Sequence, residues 1–206
     1  KLFGVNAELL IDHAWGWESC TIKDIKAYRP ENKSIGSGQV LQSPYTTDRA
    51  KIVVLEMADQ LALDLMSRGL VTDRIVLTIG YDRENLNDPK KINEYEGTVK
   101  IDHYGRLVPK HGHGTEPLGE YTSSGRIITN AAGRLFDKTA ENGLLIRRIN
   151  LTAENIVPEW HKPKPAAEQI DLFTDYSERE KAESEKDYER EKEKKLQKAI
   201  LDIKDK

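Results

Sequence analysis

The chain has 206 residues, of which 33% are charged and 37% apolar, and a formal net charge of -3. That length supports one good core and at most a small second unit, while the charge places part of the chain outside any core. No apolar run reaches the roughly 18 residues of a membrane-spanning helix, no signal peptide is visible, and the single cysteine, Cys20, rules out an intrachain disulfide and fits a reducing, cytoplasmic compartment.

Residues 1–17 read as the end of a helical unit. Val5, Leu9, Leu10 and His13 fall on one helical face, Asn6 suits the helix start, and Trp15-Gly16-Trp17 ends it. The chain opens without Met and stops within a charged run, which reads as a piece of a longer protein. Residues 18–32 hold few apolar side chains and read as a linker. Residues 33–156 carry the main domain. A strand over 34–42 contains Gly36 and Gly38, and glycine in a strand implies close approach to the backbone. Thr46 or Thr47 caps a helix to about Arg68, with Ile52, Leu55, Ala58, Leu61, Ala62 and Leu65 as its buried stripe and Gly69 as its stop. Residues 74–81 alternate, so Ile75, Leu77, Ile79 and Tyr81 share one face. The polar stretch 83–121 holds a hairpin, 98–103 and 106–111 about Tyr104-Gly105. A second helix over 125–141 buries Ile127, Ile128, Ala131, Leu135 and Phe136, and a last strand over 144–151 turns Ile149 and Leu151 inward.

The order β-α-β-β-α-β predicts an α+β domain: a four-stranded sheet with two helices on one face. Beyond it come a linker over 157–176, with Pro158, Pro163 and Pro165, and a charged helical tail over 177–206. Only Leu196, Ala199, Ile200 and Ile203 give that tail an apolar face, which suits a partner.

The uncovered sheet face is the candidate site. Lys33, Ser34, Ser37, Gln39, Arg74, Lys110, His111, His113, Thr115, Ser123, Ser124, Arg126, Arg148 and Asn150 are placed on or near it. Hydroxyl, amide and cationic donors in this mixture suit phosphate oxygens. A sheet that reads RNA stacks bases on paired aromatics, and Tyr81, Tyr104 and Tyr121 lack that arrangement. The pattern favours a duplex backbone. The same residues also suit ordinary solvated surface, or a protein-interaction module of a DNA-repair regulator without DNA contact.

Gln169-Ile170-Asp171-Leu172-Phe173 is an apolar cluster in a polar, Pro-rich stretch, the pattern of a partner anchor. The alternative is a segment packed back on its own domain. His103, His111 and His113 lie on or beside the hairpin, but zinc requires further ligands that this stretch does not supply. No metal site is expected. Walker, G-x-S-x-G and H-E-x-x-H motifs are absent. Asp82 and Asp102 make an unconvincing pair for metal-assisted phosphoryl transfer, so the chain itself is expected to do no chemistry.

Lys33-Ser34-Ile35-Gly36, the order of elements, Tyr121-Thr122-Ser123-Ser124 and Ile146-Arg147-Arg148-Ile149 resemble the little-finger domain of Y-family translesion DNA polymerases. The bacterial UmuC-like branch with its longer central hairpin is the most similar. Gly4-Val5-Asn6-Ala7-Glu8-Leu9 resembles the end of the preceding thumb. The resemblance implies a sheet lying against template–primer DNA and a parent enzyme of damage tolerance and the SOS response, in the bacterial cytoplasm at the nucleoid. It also implies Mg²⁺ in that parent's palm, with no cofactor in this part. Gln169 to Phe173 resembles the pentapeptide by which bacterial polymerases bind the sliding clamp. In that likeness Gln169 enters a polar pocket, and Leu172 and Phe173 fill an apolar one.

Overall fold

The structure is a computed structural model that describes residues 4, 6–28, 33–87, 89–163 and 176–204. Residues 169–173 therefore lie outside the described residues. Chain contacts divide the protein into two units, Lys1–Asn32 and Lys33–Lys206.

The first unit holds α1 (Asn6–Ala14) and α2 (Ile22–Ala27). Helix α2 lies within the stretch read as a linker. Its cause is local: the Thr21 hydroxyl accepts from the Asp24 backbone N–H, and the Asp24 carboxylate accepts from the Thr21 N–H, a reciprocal cap. Trp15 and Trp17 are both exposed.

The second unit runs β1 (Ser34–Tyr45), α3 (Thr47–Ser67), β2 (Leu70–Tyr81), a 3-10 turn (Arg83–Leu86) and α4 (Pro89–Glu94). There follow β3 (Val99–Ile101), β4 (Leu107–Pro109), β5 (Gly112–Thr122), α5 (Gly125–Thr139), β6 (Ile146–Glu154), β7 (Val157–Pro158) and α6 (Tyr176–Lys204). The main sheet has the order β1-β6-β2-β5, with every pair antiparallel, and β7 adds to the start of β2. Strand β6 thus sits between β1 and β2, splitting the β1-α3-β2 unit.

Both long helices cover one face. Val54, Met57, Ala58, Leu61, Ala62 and Leu65 of α3 meet Ile128, Ala131, Ala132, Leu135 and Phe136 of α5 over Ile75, Leu77, Ile79, Ile149 and Leu151 of the sheet. This is the α+β architecture expected. Of the predicted α3 stripe, Ala58, Leu61, Ala62 and Leu65 are buried, and Ile52 is the exception. Ile52 is 67% exposed, because it lies two residues from both Ala50 and Val54, about 200° round the helix. Leu55 instead packs toward α5 at Gly133.

The central hairpin departs from expectation. Its two strands form, as β3 and β4, but they pair only with each other. The fourth sheet strand is β5, whose sequence shows no apolar alternation. Its alternation is in size. A Cβ on Gly112 would stand 2.7 Å from the Thr139 carbonyl oxygen, and one on Gly114 would stand 2.9 Å from Leu135 Cδ1. Helix α5 therefore packs on bare backbone where a side chain would normally fill the space.

Gly112→Ala is expected to lower stability by about 1–3 kcal/mol, the range for overpacking against atoms that cannot yield. Ser37→Ala, on the exposed part of the same face, should change it by less than about 0.5 kcal/mol. Urea unfolding of the two variants measures both; equal effects would show that α5 does not press on β5.

Candidate nucleic-acid interface

Strand register sets what the open face carries. Cross-strand rows on it run Gly38–Asn150–Thr78–His113, Gly36–Thr152–Val76–Thr115 and Ser34–Glu154–Arg74–Pro117. Val40, Arg148 and Gly80 make a further row at one end. Side chains alternate along a strand, so Ser37 and Gln39 belong to the other face, in register with buried Leu151 and Ile149. They are exposed because β1 is an edge strand. Their expected place on the open face is corrected on that ground.

The glycines of β1 have a defined use. A Cβ on Gly36 would reach 2.5 Å from Thr152 Oγ1, and one on Gly38 would collide with Asn150 Oδ1. The polar side chains of β6 thus lean across β1 and keep the surface flat. Thr78 Oγ1 lies 3.0 Å from His113 Nδ1 across β2 and β5.

Charge is graded along this face. At one end Arg74 pairs with Asp73 at 3.1 Å and has Glu154 beside it in register. The hydrogen bond from Arg74 to Asp73 holds the guanidinium pKa above its ordinary value, so this cation is already neutralised. Lys33 lies just before β1 at the same end and is exposed, its carbonyl accepting from the Ile156 N–H. At the other end Arg148 is exposed and forms no ion pair among the described residues.

Beyond Arg148 the face runs into a cleft of about 540 Å³, walled by the β3–β4 hairpin and the 3-10 turn. Its cations are Arg83, Lys100, Arg106, Arg147 and Arg148, and His111 lines it too. Its carboxylates are Asp82, Glu84 and Asp102, and two of them are paired within the fold. Asp82 caps the 3-10 turn through the Glu84 N–H and stands 3.8 Å from Arg147, and Asp102 pairs with Arg106 at 2.6 Å. Arg147 Nη1 also donates to the Gln42 carbonyl. The Asn85 amide fixes the turn by pairing with both backbone groups of Leu145. Asp102 organises the hairpin tip, accepting from the backbone N–H groups of Tyr104 and Arg106. Hydrogen bonding, first from the Arg106 side chain, lowers the Asp102 pKa to about 2. Lys110 precedes β5 and donates its backbone N–H to the Thr98 carbonyl.

Ser123, Ser124 and Arg126 are in a different setting. Ser123 is buried, and its carbonyl accepts from the Gln197 amide of α6 at 3.4 Å. Ser124 caps α5, accepting from the Ile127 N–H, and its hydroxyl donates to the Glu193 carboxylate at 2.8 Å. The Arg126 N–H donates to the same carboxylate, and its guanidinium pairs with Glu189 at 3.3 Å. The positive end of α5 thus already holds an anion. Further pairs, Arg190 with Glu120 and Lys194 with Glu159, fix α6 to the domain. These polar contacts hold the tail helix to its own domain, while Leu196 and Ile203, on the apolar face read as suited to a partner, are exposed.

A model of the impB/mucB/samB family C-terminal domain matches residues 32–172. The chain belongs to this family of Y-family polymerases. Residues 32–172 carry its C-terminal, little-finger domain. A solved structure titled as a complex of β-clamp processivity factor and the little finger domain of PolIV is similar at 10% identity. The match covers 68% of this chain and 99% of that one, with a TM-score of 0.38. No curated protein sequence matches. Among the described residues, no group of three or more His, Cys, Asp or Glu side chains could hold a metal ion.

Six of the expected contact residues share the open face: Ser34, Arg74, His113, Thr115, Arg148 and Asn150. Lys33, Lys110 and His111 flank it. Arg83, Lys100, Arg106 and Arg147 escaped the sequence reading, since they come from separate segments with no shared motif.

The lowered Asp102 pKa has a pH signature. A carboxylate depressed in the folded state contributes stability above its unfolded value of about 3.9, lost as pH falls toward 2. NMR titration is expected to show the hairpin turn intact at pH 4 and disordering near pH 2. In Arg106→Ala the Asp102 midpoint should rise toward the ordinary value; an unmoved midpoint would rule out Arg106 as the cause.

Proposed function

We propose that this little-finger domain holds template–primer duplex against its open sheet face and recruits the sliding clamp through Gln169 to Phe173. The observation that carries the first half is the flat polar face ending in Arg148, a cation with no carboxylate partner among the described residues. Hydroxyls, amides and cations presented on one plane grip phosphates without reading bases. The face lacks the aromatic pairs of a single-strand RNA sheet. The second half rests on the sequence alone: an apolar pentapeptide in a polar, Pro-rich stretch.

In a longer polymerase this part would position DNA and tether it to the clamp, for synthesis across damaged template by a Mg²⁺-dependent palm. Such work would keep the protein on the bacterial nucleoid. Among the described residues no helix is long and apolar enough to cross a membrane.

Duplex binding should weaken steeply with salt, with little dependence on sequence. Arg148→Ala is expected to reduce affinity evenly across sequences and to lower the salt slope by about one. Arg74→Ala should do less, because Asp73 already neutralises it. Fluorescence anisotropy across a salt series decides; equal affinity at low and high salt would remove the electrostatic basis.

The double variant Leu172→Ala/Phe173→Ala is expected to abolish binding to an immobilised sliding clamp while leaving duplex affinity unchanged. Retention of clamp binding would discard the pentapeptide as the anchor.

A further inference from the structure

We propose that the cleft beside Arg148 is a second nucleic-acid site, one that takes unpaired nucleotides at the end of a duplex. The inference rests on the reading of the open face as a duplex surface and extends it past the last base pair.

Three observations converge. The cleft is continuous with the open face, since Val40, Gly80 and Arg148 belong to both. It combines cations with apolar wall: Ile101 is 70% exposed, and Val108 and Pro109 stand beside it. Arg83, Lys100 and Arg148 form no ion pair among the described residues, whereas Asp82 and Asp102 are engaged within the fold. Glu84 lines the cleft too, so five cations, Arg83, Lys100, Arg106, Arg147 and Arg148, stand against three carboxylates, a balance that favours a polyanion.

The hairpin tip adds a fourth. Tyr104 is 76% exposed. Its ring lies under the Arg106 guanidinium, 4.7 Å from the centroid, with His103 edge-on at 5.5 Å. The same Arg106 is anchored by Asp102 and lines the cleft. An exposed aromatic held against Arg106, a residue that lines the cationic cleft, is a stacking platform for a base, and bases stack without regard to sequence. Paired bases are already stacked on their neighbours. The platform therefore selects nucleotides that have left the duplex.

The site is wide enough for the ligand, at about 540 Å³. It differs in kind from the flat face. The face offers donors in a plane and no aromatic ring, which suits a regular backbone. The cleft offers a recess, with the Tyr104 ring beside it on Arg106, an arrangement that suits a splayed base with its phosphates on Lys100 and Arg83.

The test uses the full chain and fluorescence anisotropy. The probes are a blunt duplex, the same duplex with a short unpaired 5′ extension, and an oligo-dT strand. The extension is expected to raise affinity about tenfold, the size of one base–aromatic stack. Tyr104→Ala should remove that gain and leave blunt-duplex affinity unchanged, and Tyr104→Phe should keep the gain. Lys100→Ala should reduce the gain and its salt dependence together. Equal affinity for blunt and extended duplexes overturns the proposal and leaves the duplex reading standing. So does a Tyr104→Ala loss that falls equally on both. Displacement of the extension by a poly-glutamate peptide as readily as by oligo-dT also overturns it, because the cleft is then a general anion patch. Oligo-dT binding that depends on Tyr104, without blunt-duplex binding, supports this site and defeats the duplex reading. No binding to any probe overturns both.

Discussion

The position of β6 between β1 and β2 governs the rest of the molecule. It is antiparallel to both neighbours, so β1 and β2 point the same way and α3 must cross over β6 to join them. Helix α5 makes the corresponding crossing from β5 to β6. Both crossings lie on one face, and their apolar sides meet there with Ile149, Leu151, Leu77 and Ile79. Among the described residues of the second unit no helix packs on the opposite face, and its side chains are the alternate members of the same strands. Burial on one side and polar presentation on the other are a single consequence of strand order and pleat.

That coupling explains why the open face is flat. Central β6 carries Asn150 and Thr152, long enough to reach over a neighbouring strand. Edge strand β1 answers with Gly36 and Gly38, which leave them room. Larger residues on β1 would lift these side chains and break the plane. The glycines that weaken β1 in isolation are thus tolerated because β6 supplies the side chains for both strands.

Much of this was legible in the sequence where one period dominates. Residues 74–81 and 146–151 alternate cleanly, and α3 and α5 have caps and stops. Failures occur where a different constraint wins. Ser37 and Gln39 looked like site residues because β1 is polar throughout, and only Ile35 and Leu41 reveal its parity. β5 hid because its inward positions at 112 and 114 are glycines, chosen by the nearness of α5 rather than by hydrophobicity. The cleft was invisible because it is assembled from the ends of β1, β2 and β6, a 3-10 turn and a hairpin. No spacing links those segments.

Electrostatics shows the same division between local pattern and assembly. A net charge of -3 gives no hint of a cationic cleft. The cleft arises because carboxylates near it are drawn into caps and turns, leaving Arg83, Lys100 and Arg148 over. At the start of α5 the reverse holds. Ser124 and Arg126 have the donors an anion needs, but Glu193 and Glu189 of α6 already meet them. Exposed ion pairs of this kind contribute only about 0–1 kcal/mol each, so the polar contacts of α6 are individually weak. A phosphate could take the donors of α5 only by displacing a carboxylate covalently tethered to the same chain. The proposed duplex surface is therefore drawn along Asn150, Thr78, His113 and Arg148, where among the described residues no carboxylate pairs with Arg148.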